Sequence, residues 1–369
     1  MTKRVVVTGR GLVTPLGNGL AQNVQSLMDG KTGTVFMPEW REMGLESQVA
    51  GVSDNEVQCP MFNVKNLRFM SPNSRMAAAA VYEALVEAGF TPEDLPNRRI
   101  ALINGCAGSS YMTVYKNMKA FDTTHRLRSV SPFSVPKIMP SSAVANISLL
   151  YGITGESYNI SAACTGSALA IIAGARLIKS GEYEMVIVGG SEELSWGQAL
   201  GFNTMRALSH SFNETPEKAS RPFDKTRDGF VLAVDCDFVV VSENFFDAFE
   251  LDGVSHRRGS AVCIDIGYIG AFEPRGFQRA GHDFRRRFRV RYNHIHRVAV
   301  GAGAVEAIFT TLMLEHSFIS KSANLDDPDD SFAWADLVRE TRRNVEIKHA
   351  LSNSFGFGGS NASLVISKC

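Results

Sequence analysis

The chain lacks any excess of charge: thirty-eight Lys and Arg balance thirty-eight Asp and Glu. That balance removes a global field toward nucleic acid or an anionic membrane, and neither is expected as a partner. There is no apolar run of membrane-spanning length, and the apolar stretch in residues 1–9 is too short for the core of a signal peptide. A cytoplasmic address follows as the expectation. The six cysteines show no CxxC or other paired spacing. This excludes a zinc ribbon and a disulfide framework and predicts free thiols in a reducing compartment. No low-complexity linker or short-period repeat breaks the chain. What is present, 44% hydrophobic and 21% charged content over 369 residues, is the composition of a globular protein with an ample core.

Strand-like and helix-like segments alternate. Residues 4–8 read as a buried strand, with Gly9, Gly11, Pro15 and Gly17 marking the turn after it. Residues 74–88 have strong helix propensity and stop at Gly89, and 99–104 read as a strand. A buried helix over 141–151 ends at Gly152. The strand at 158–160 leads into Cys164, a nearly all-apolar helix fills 165–180, and a strand follows at 184–188. A further strand starts near Phe238, and 304–316 read as another buried helix. Strands alternating with buried helices indicate a layered α/β domain.

Cys164 lies between a strand and a helix, among the small residues Ala162, Ala163, Gly166 and Ser167. A thiol there meets unpaired helix N–H groups and the positive end of the macrodipole, which predicts a thiolate nucleophile. The same N–H groups would face an oxyanion formed at a thioester carbonyl. An isolated cysteine is more commonly a small core residue, so the flanking pattern carries the functional reading. Near the C-terminus, residues 352–361 (Ser-Asn-Ser-Phe-Gly-Phe-Gly-Gly-Ser-Asn) form a glycine-rich loop whose bland alternative is a plain turn between strands.

On four segments the chain resembles the β-ketoacyl-acyl carrier protein synthases, the elongating condensing enzymes of bacterial fatty-acid synthesis. They are the opening strand and turn at 5–17, the nucleophile motif at 161–168, the loop at 216–231, and the last helix (301–306) with the GFGGSN loop within 351–364. The resemblance covers roughly 1–233 and 301–369. It implies a thiolase-like α/β fold of two similar halves in five layers, 1–240 and 241–369, the second shortened and divergent to about 300. It implies Cys164 as the acyl acceptor, the N–H groups of Cys164 and Phe357 as oxyanion donors, and Phe357 as a gate for malonyl substrate. Gly356 and Gly358 would give the loop its tight path, and Gly108 would fall where the acyl pocket closes across a dimer. The implied reaction is decarboxylative Claisen condensation with malonyl-acyl carrier protein. It needs no cofactor and no metal, and its partners are acyl carrier protein and a second copy of the chain.

The departures from the family are local. Where the family has a glycine-rich turn, residues 233–237 read Ala-Val-Asp-Cys-Asp, a poor fit to positive φ. The HGTSTPxxD and KxMTGH segments have no counterpart, so both catalytic histidines are expected to be missing. The alternative functions are then a non-condensing paralogue or a defective product. His296, one place from the lost histidine column, is the first stand-in, ahead of His294, His282 and His256. Eight arginines fall between Arg275 and Arg297. They lack the periodicity of a nucleic-acid arm, and the stretch 242–300 is open to a second explanation as a shifted reading frame.

Overall fold

A central strand, β1 (Val6–Thr14), is buried along its whole length. The sequence places a turn at Gly9 and Gly11, yet both lie within this strand. The cause is helix α1 (Pro72–Glu87), laid directly across it. A Cβ on Gly9 would stand 1.9 Å from the Ala84 carbonyl oxygen, and one on Gly11 would stand 1.8 Å from that of Ala80. The glycines mark a close helix–strand approach, and the chain turns only at Pro15 and Leu16. The computed structural model describes residues 4–53, 57–96, 98–108, 110–243 and 302–369, with the backbone pairing of 262–265, 291–292 and 297–298.

The other elements that build the site are β2 (Ile100–Gly105), α2 (Tyr111–Thr124), α3 (Ser142–Tyr151), β3 (Ser157–Ile160), α4 (Gly166–Ser180), β4 (Met185–Glu192), α5 (Trp196–Thr204), β5 (Asp235–Ser242), β6 (Val262–Asp265), α6 (Ala302–Glu315), β7 (His349–Phe355) and β8 (Asn361–Lys368). Among the described residues the principal sheet has nine strands, with the order β7-β8-β6-β1-β5-β4-β2-β3 and the short Gly17–Asn18 strand paired to β1. β2 runs parallel to β3 and β4, while β4–β5 and β1–β5 are antiparallel, so the sheet is mixed.

Period-two alternation sends successive side chains to opposite faces. Ala101, Ile103, Val186, Val188, Val239 and Val241 pack under α4 and α6. Ile100, Leu102, Ile187, Phe238 and Val240 pack under α1 and α3. The result is helices, sheet and helices in three layers among the described residues, with the C-terminal strands β7 and β8 continuing the same sheet. Arg10 ties three elements together. Its guanidinium reaches Glu87 on α1 at 2.5 Å, Glu315 on α6 at 2.8 Å and the Thr311 hydroxyl at 3.1 Å.

Two further expectations are corrected here. Residues 233–237, read as a poor fit to a turn needing positive φ, lead into a regular buried strand at Asp235–Ser242, and neither Val234 nor Asp235 has positive φ. Extended backbone suits Val and Asp there without strain. Cys59, Cys106, Cys164 and Cys236 are free, as expected, but Cys369 is disulfide-bonded. No helix among the described residues is long and apolar enough to cross a membrane.

Candidate active site

Cys164 stands in the turn joining β3 to α4. The turn is tight: Ala163 adopts φ +48°, and the N–H groups of Thr165 and Gly166 donate to the Ala162 and Ala163 carbonyls at 3.2 and 3.0 Å. A non-glycine residue in the left-handed region stores strain of about 1–3 kcal/mol, here at the residue preceding the thiol. The Thr165 hydroxyl donates to the Ala162 carbonyl at 2.7 Å and closes the turn. Within α4, the Ser167 hydroxyl accepts the N–H of Ala304 at 3.0 Å, which fixes α6 against the nucleophile helix.

The second wall is the loop between β7 and β8. The Gly356 N–H donates to the Ser360 carbonyl at 2.7 Å and that of Gly359 to the Gly356 carbonyl at 3.0 Å. Gly358 and Gly359 take φ +91° and +90°, which a side chain would resist. A Cβ on Gly356 would meet the Ala162 carbonyl oxygen at 3.0 Å, so the two turns are in contact. The Phe357 side chain is about half exposed and leans on Phe202 of α5 and on Phe230, with ring centroids 6.0 and 6.3 Å away.

The backbone N–H groups of Phe357 and Cys164 lie near enough to the Cys164 thiol to favour its ionised form. The sequence predicts a thiolate from the helix end. Burial instead pushes the thiol above its usual range; the two N–H groups pull against this, and the charges of Glu192 and Asp235 add to the rise. Desolvation of the half-buried sulfur is the largest of these effects and outweighs the backbone N–H groups.

Glu192 and Asp235, at the ends of β4 and β5, escape sequence reasoning, as do Phe202 and Phe230. The available signal was an acid ending the apolar run at 185–191 and another opening the run at 236–241. Gly108 borders this carboxyl: a Cβ there would meet Glu192 Oε1 at 2.7 Å and the Tyr111 ring at 2.9 Å. The space beside Gly108 in this protomer is thus held by Glu192 and Tyr111. The structure brings Cys164, Gly356 and Phe357 together. His296, His294, His282 and His256, and the 244–261 and 266–290 parts of the 242–300 stretch, lie outside the described residues. No group of His, Cys, Asp or Glu among the described residues is arranged to hold a metal ion.

This arrangement has counterparts in known proteins. Residues 2–244 match the profile described as β-ketoacyl synthase, N-terminal domain. The chain is 33% identical to 3-oxoacyl-[acyl-carrier-protein] synthase 1 of Haemophilus influenzae over 404 residues, covering 99% of each. It is likewise 33% identical to the Escherichia coli K12 protein of that name over 414 residues, again 99% of each. Among solved structures, a β-ketoacyl synthase from Burkholderia phymatum superposes with a TM-score of 0.84 at 25% identity over the whole of both chains. The ketosynthase of a type II polyketide complex with its acyl-carrier protein superposes at 0.80 with 20% identity over the whole of both chains, a likeness of fold.

Proposed function

Because the chain belongs to the β-ketoacyl synthase family, we propose that it condenses an acyl thioester with malonyl-acyl carrier protein in fatty-acid chain elongation. The observation that carries this is the approach of the Gly356–Phe357 loop to the tight turn that bears Cys164, where a Cβ on Gly356 would meet the Ala162 carbonyl oxygen at 3.0 Å. Cys164 loses its proton and attacks the acyl thioester carbonyl. The oxyanion that forms takes the place facing the two N–H groups, where preorganised donors stabilise developing charge best. Collapse expels the carrier thiol, which takes up a proton, and leaves an acyl-Cys164 thioester. Malonyl-carrier protein then loses carbon dioxide, and its enolate carbon attacks that thioester. The new carbon–carbon bond expels the Cys164 thiolate and gives a 3-oxoacyl chain two carbons longer. The sequence as written uses neither metal nor organic cofactor.

Phe357 gates the second half of this cycle, resting on Phe202 and Phe230 until malonyl substrate enters. Gly356 and Gly358 permit the swing, and Gly108 lines the acyl site beside Tyr111. His296 assists decarboxylation and carbon–carbon bond formation, the role for which its place in the sequence fits it best. The two halves are 1–240 and 241–369, a division supported by the end of the profile match at residue 244.

Acyl carrier protein docks on a basic surface made by exposed Lys65, Arg68 and Arg75 with Arg126 and Arg128. The Phe69–Phe133 ring contact at 4.9 Å holds those two segments side by side. A second copy pairs at β3, which ends the sheet. Tyr158 on β3 is exposed, as are Tyr111, Tyr115, Met118 and Phe121 of α2, a helix that buries no residue. A cytoplasmic address belongs to the same proposal. The direct test is conversion of acyl- and malonyl-carrier protein to 3-oxoacyl-carrier protein. Product is expected; carbon dioxide release without product would point to a non-condensing relative instead.

A further inference from the structure

Phe202 and Phe230, the two rings against which Phe357 rests, also meet each other edge to face, with centroids 5.6 Å apart and planes at 79°. Such a contact favours one relative placing of the rings. Their backbones are joined through a single residue. The Ala207 N–H donates to the Phe202 carbonyl at 3.2 Å, and the Ala207 carbonyl accepts the Phe230 N–H at 3.1 Å. Arg206, one residue earlier, takes φ +53°, and its N–H donates to the Asn203 carbonyl at 2.8 Å. A non-glycine residue keeps that conformation where its surroundings over-determine it. The turn after α5 is therefore held in one shape, and that shape delivers Ala207 to Phe230.

Asp228, two residues before Phe230, closes the same junction with its side chain. Its Oδ2 accepts the N–H of His210 at 2.9 Å and that of Ser211 at 2.7 Å. The side chain is 16% exposed, and the His210 ring lies 3.6 Å from the same oxygen. Bonds from N–H groups to a carboxylate are the stronger, charge-assisted kind. Gly229 lets the two segments come this close: a Cβ there would stand 2.4 Å from the Leu208 carbonyl carbon and 2.5 Å from the Ser209 nitrogen. The Phe230 carbonyl then accepts the Ser209 N–H at 2.9 Å. Residues 228–230 are in this way fastened along 207–211. The Phe357 ring, about half exposed, meets the pair of rings so fixed at 6.0 and 6.3 Å.

We propose that Asp228 is a positioning residue for the gate: by clamping residues 210 and 211 it fixes Phe202 and Phe230 as one platform and so sets where the Phe357 ring comes to rest. The inference rests on Phe357 gating malonyl entry, and it adds the residue that decides the closed position. Asp228 acts through Phe230 and its ring contacts, without touching substrate.

The test places 4-fluorophenylalanine at position 357 of the full chain and reads its fluorine resonance in wild type, Asp228→Ala and Asp228→Asn. The Asn side chain keeps an oxygen that can accept the two N–H groups, and the Ala side chain does not. The resonance should move in Asp228→Ala toward that of the free amino acid and stay at the wild-type position in Asp228→Asn. In single-turnover assays, discharge by malonyl-carrier protein should fall about tenfold in Asp228→Ala and stay within about threefold of wild type in Asp228→Asn. Acyl loading of Cys164 should stay within about threefold in both. A resonance that does not move in Asp228→Ala, one that moves as far in Asp228→Asn, or a loss shared equally by loading and discharge would overturn the proposal. If Asp228→Ala does not fold, Asp228→Ser decides, because a short hydroxyl cannot serve both donors as the carboxylate does. Its resonance must move in the same direction, and an unmoved line refutes the clamp. A wild-type chain that takes no acyl group on Cys164 would reject the proposed function, and the fluorine line would still decide the clamp.

Discussion

Gly356 packs against Ala162, two residues before Cys164, although one belongs to the last hairpin and the other to the middle of the chain: a Cβ on Gly356 would stand 3.0 Å from the Ala162 carbonyl oxygen. The loop bearing Phe357 is joined to the Cys164 turn by the approach of Gly356 to the Ala162 carbonyl.

Phe357→Ala keeps the backbone N–H and removes the ring that rests on Phe202 and Phe230. Acyl loading of Cys164 should remain within about threefold of wild type, while the malonyl-dependent step should fall by about tenfold or more. Single-turnover measurements of the two half-reactions check this. Equal loss in both would make the ring a packing element and not a gate.

His296→Ala should spare acylation and lower condensation by about 10²-fold, the ordinary contribution of a positioned acid–base group. Turnover unaffected by changing His296, His294 or His282 would mean that condensation here proceeds without any of these histidines.

Asp224 ties the 216–231 loop to the segment after α6. Its carboxylate accepts the N–H groups of Thr226, Asp326 and Asp327 at 2.8–2.9 Å and pairs with Arg221 at 3.2 Å. Burial pushes this carboxyl up, but these donors outweigh it and hold it well below the usual range. A folded pKa below the unfolded value, about 3.9, gives stability that is fully present above pH 4 and is lost as pH falls further. Asp224→Asn should cost about 2–3 kcal/mol at pH 7. The gap to wild type should narrow below pH 4 in urea unfolding; a gap that persists unchanged at pH 3 would contradict the assignment.

Met118→Glu combined with Tyr158→Glu places charge on exposed apolar positions of α2 and of the edge strand β3. Sedimentation should show wild type at twice the chain mass and the double variant at one chain mass. A wild-type monomer would refute the dimer.

Much of the site was legible because its motifs are local. Strand, cysteine and helix follow one another over 158–180, and the GFGGSN loop lies within ten residues. The glycines of β1 were misread because their reason is a helix more than sixty residues away, which no turn rule can supply. The state of Cys164 was misread for a related cause: the helix end is visible in sequence, whereas burial and the Glu192–Asp235 pair arise only when β4 and β5 align. Phe202 and Phe230 were invisible as ring partners of Phe357, since nothing in their own sequence neighbourhoods names it.

The central claim is that Cys164 carries the growing chain between two half-reactions. The measurement is sequential mass analysis: the protein is treated with acyl-carrier protein alone, digested and mapped, then a second sample is chased with malonyl-carrier protein. The account predicts one acyl group on the Cys164 peptide, absent in Cys164→Ser, that disappears in the chase as a 3-oxoacyl-carrier protein two carbons longer is formed. An adduct on another cysteine, loading that survives Cys164→Ser, or an acyl group that malonyl-carrier protein does not discharge would contradict it.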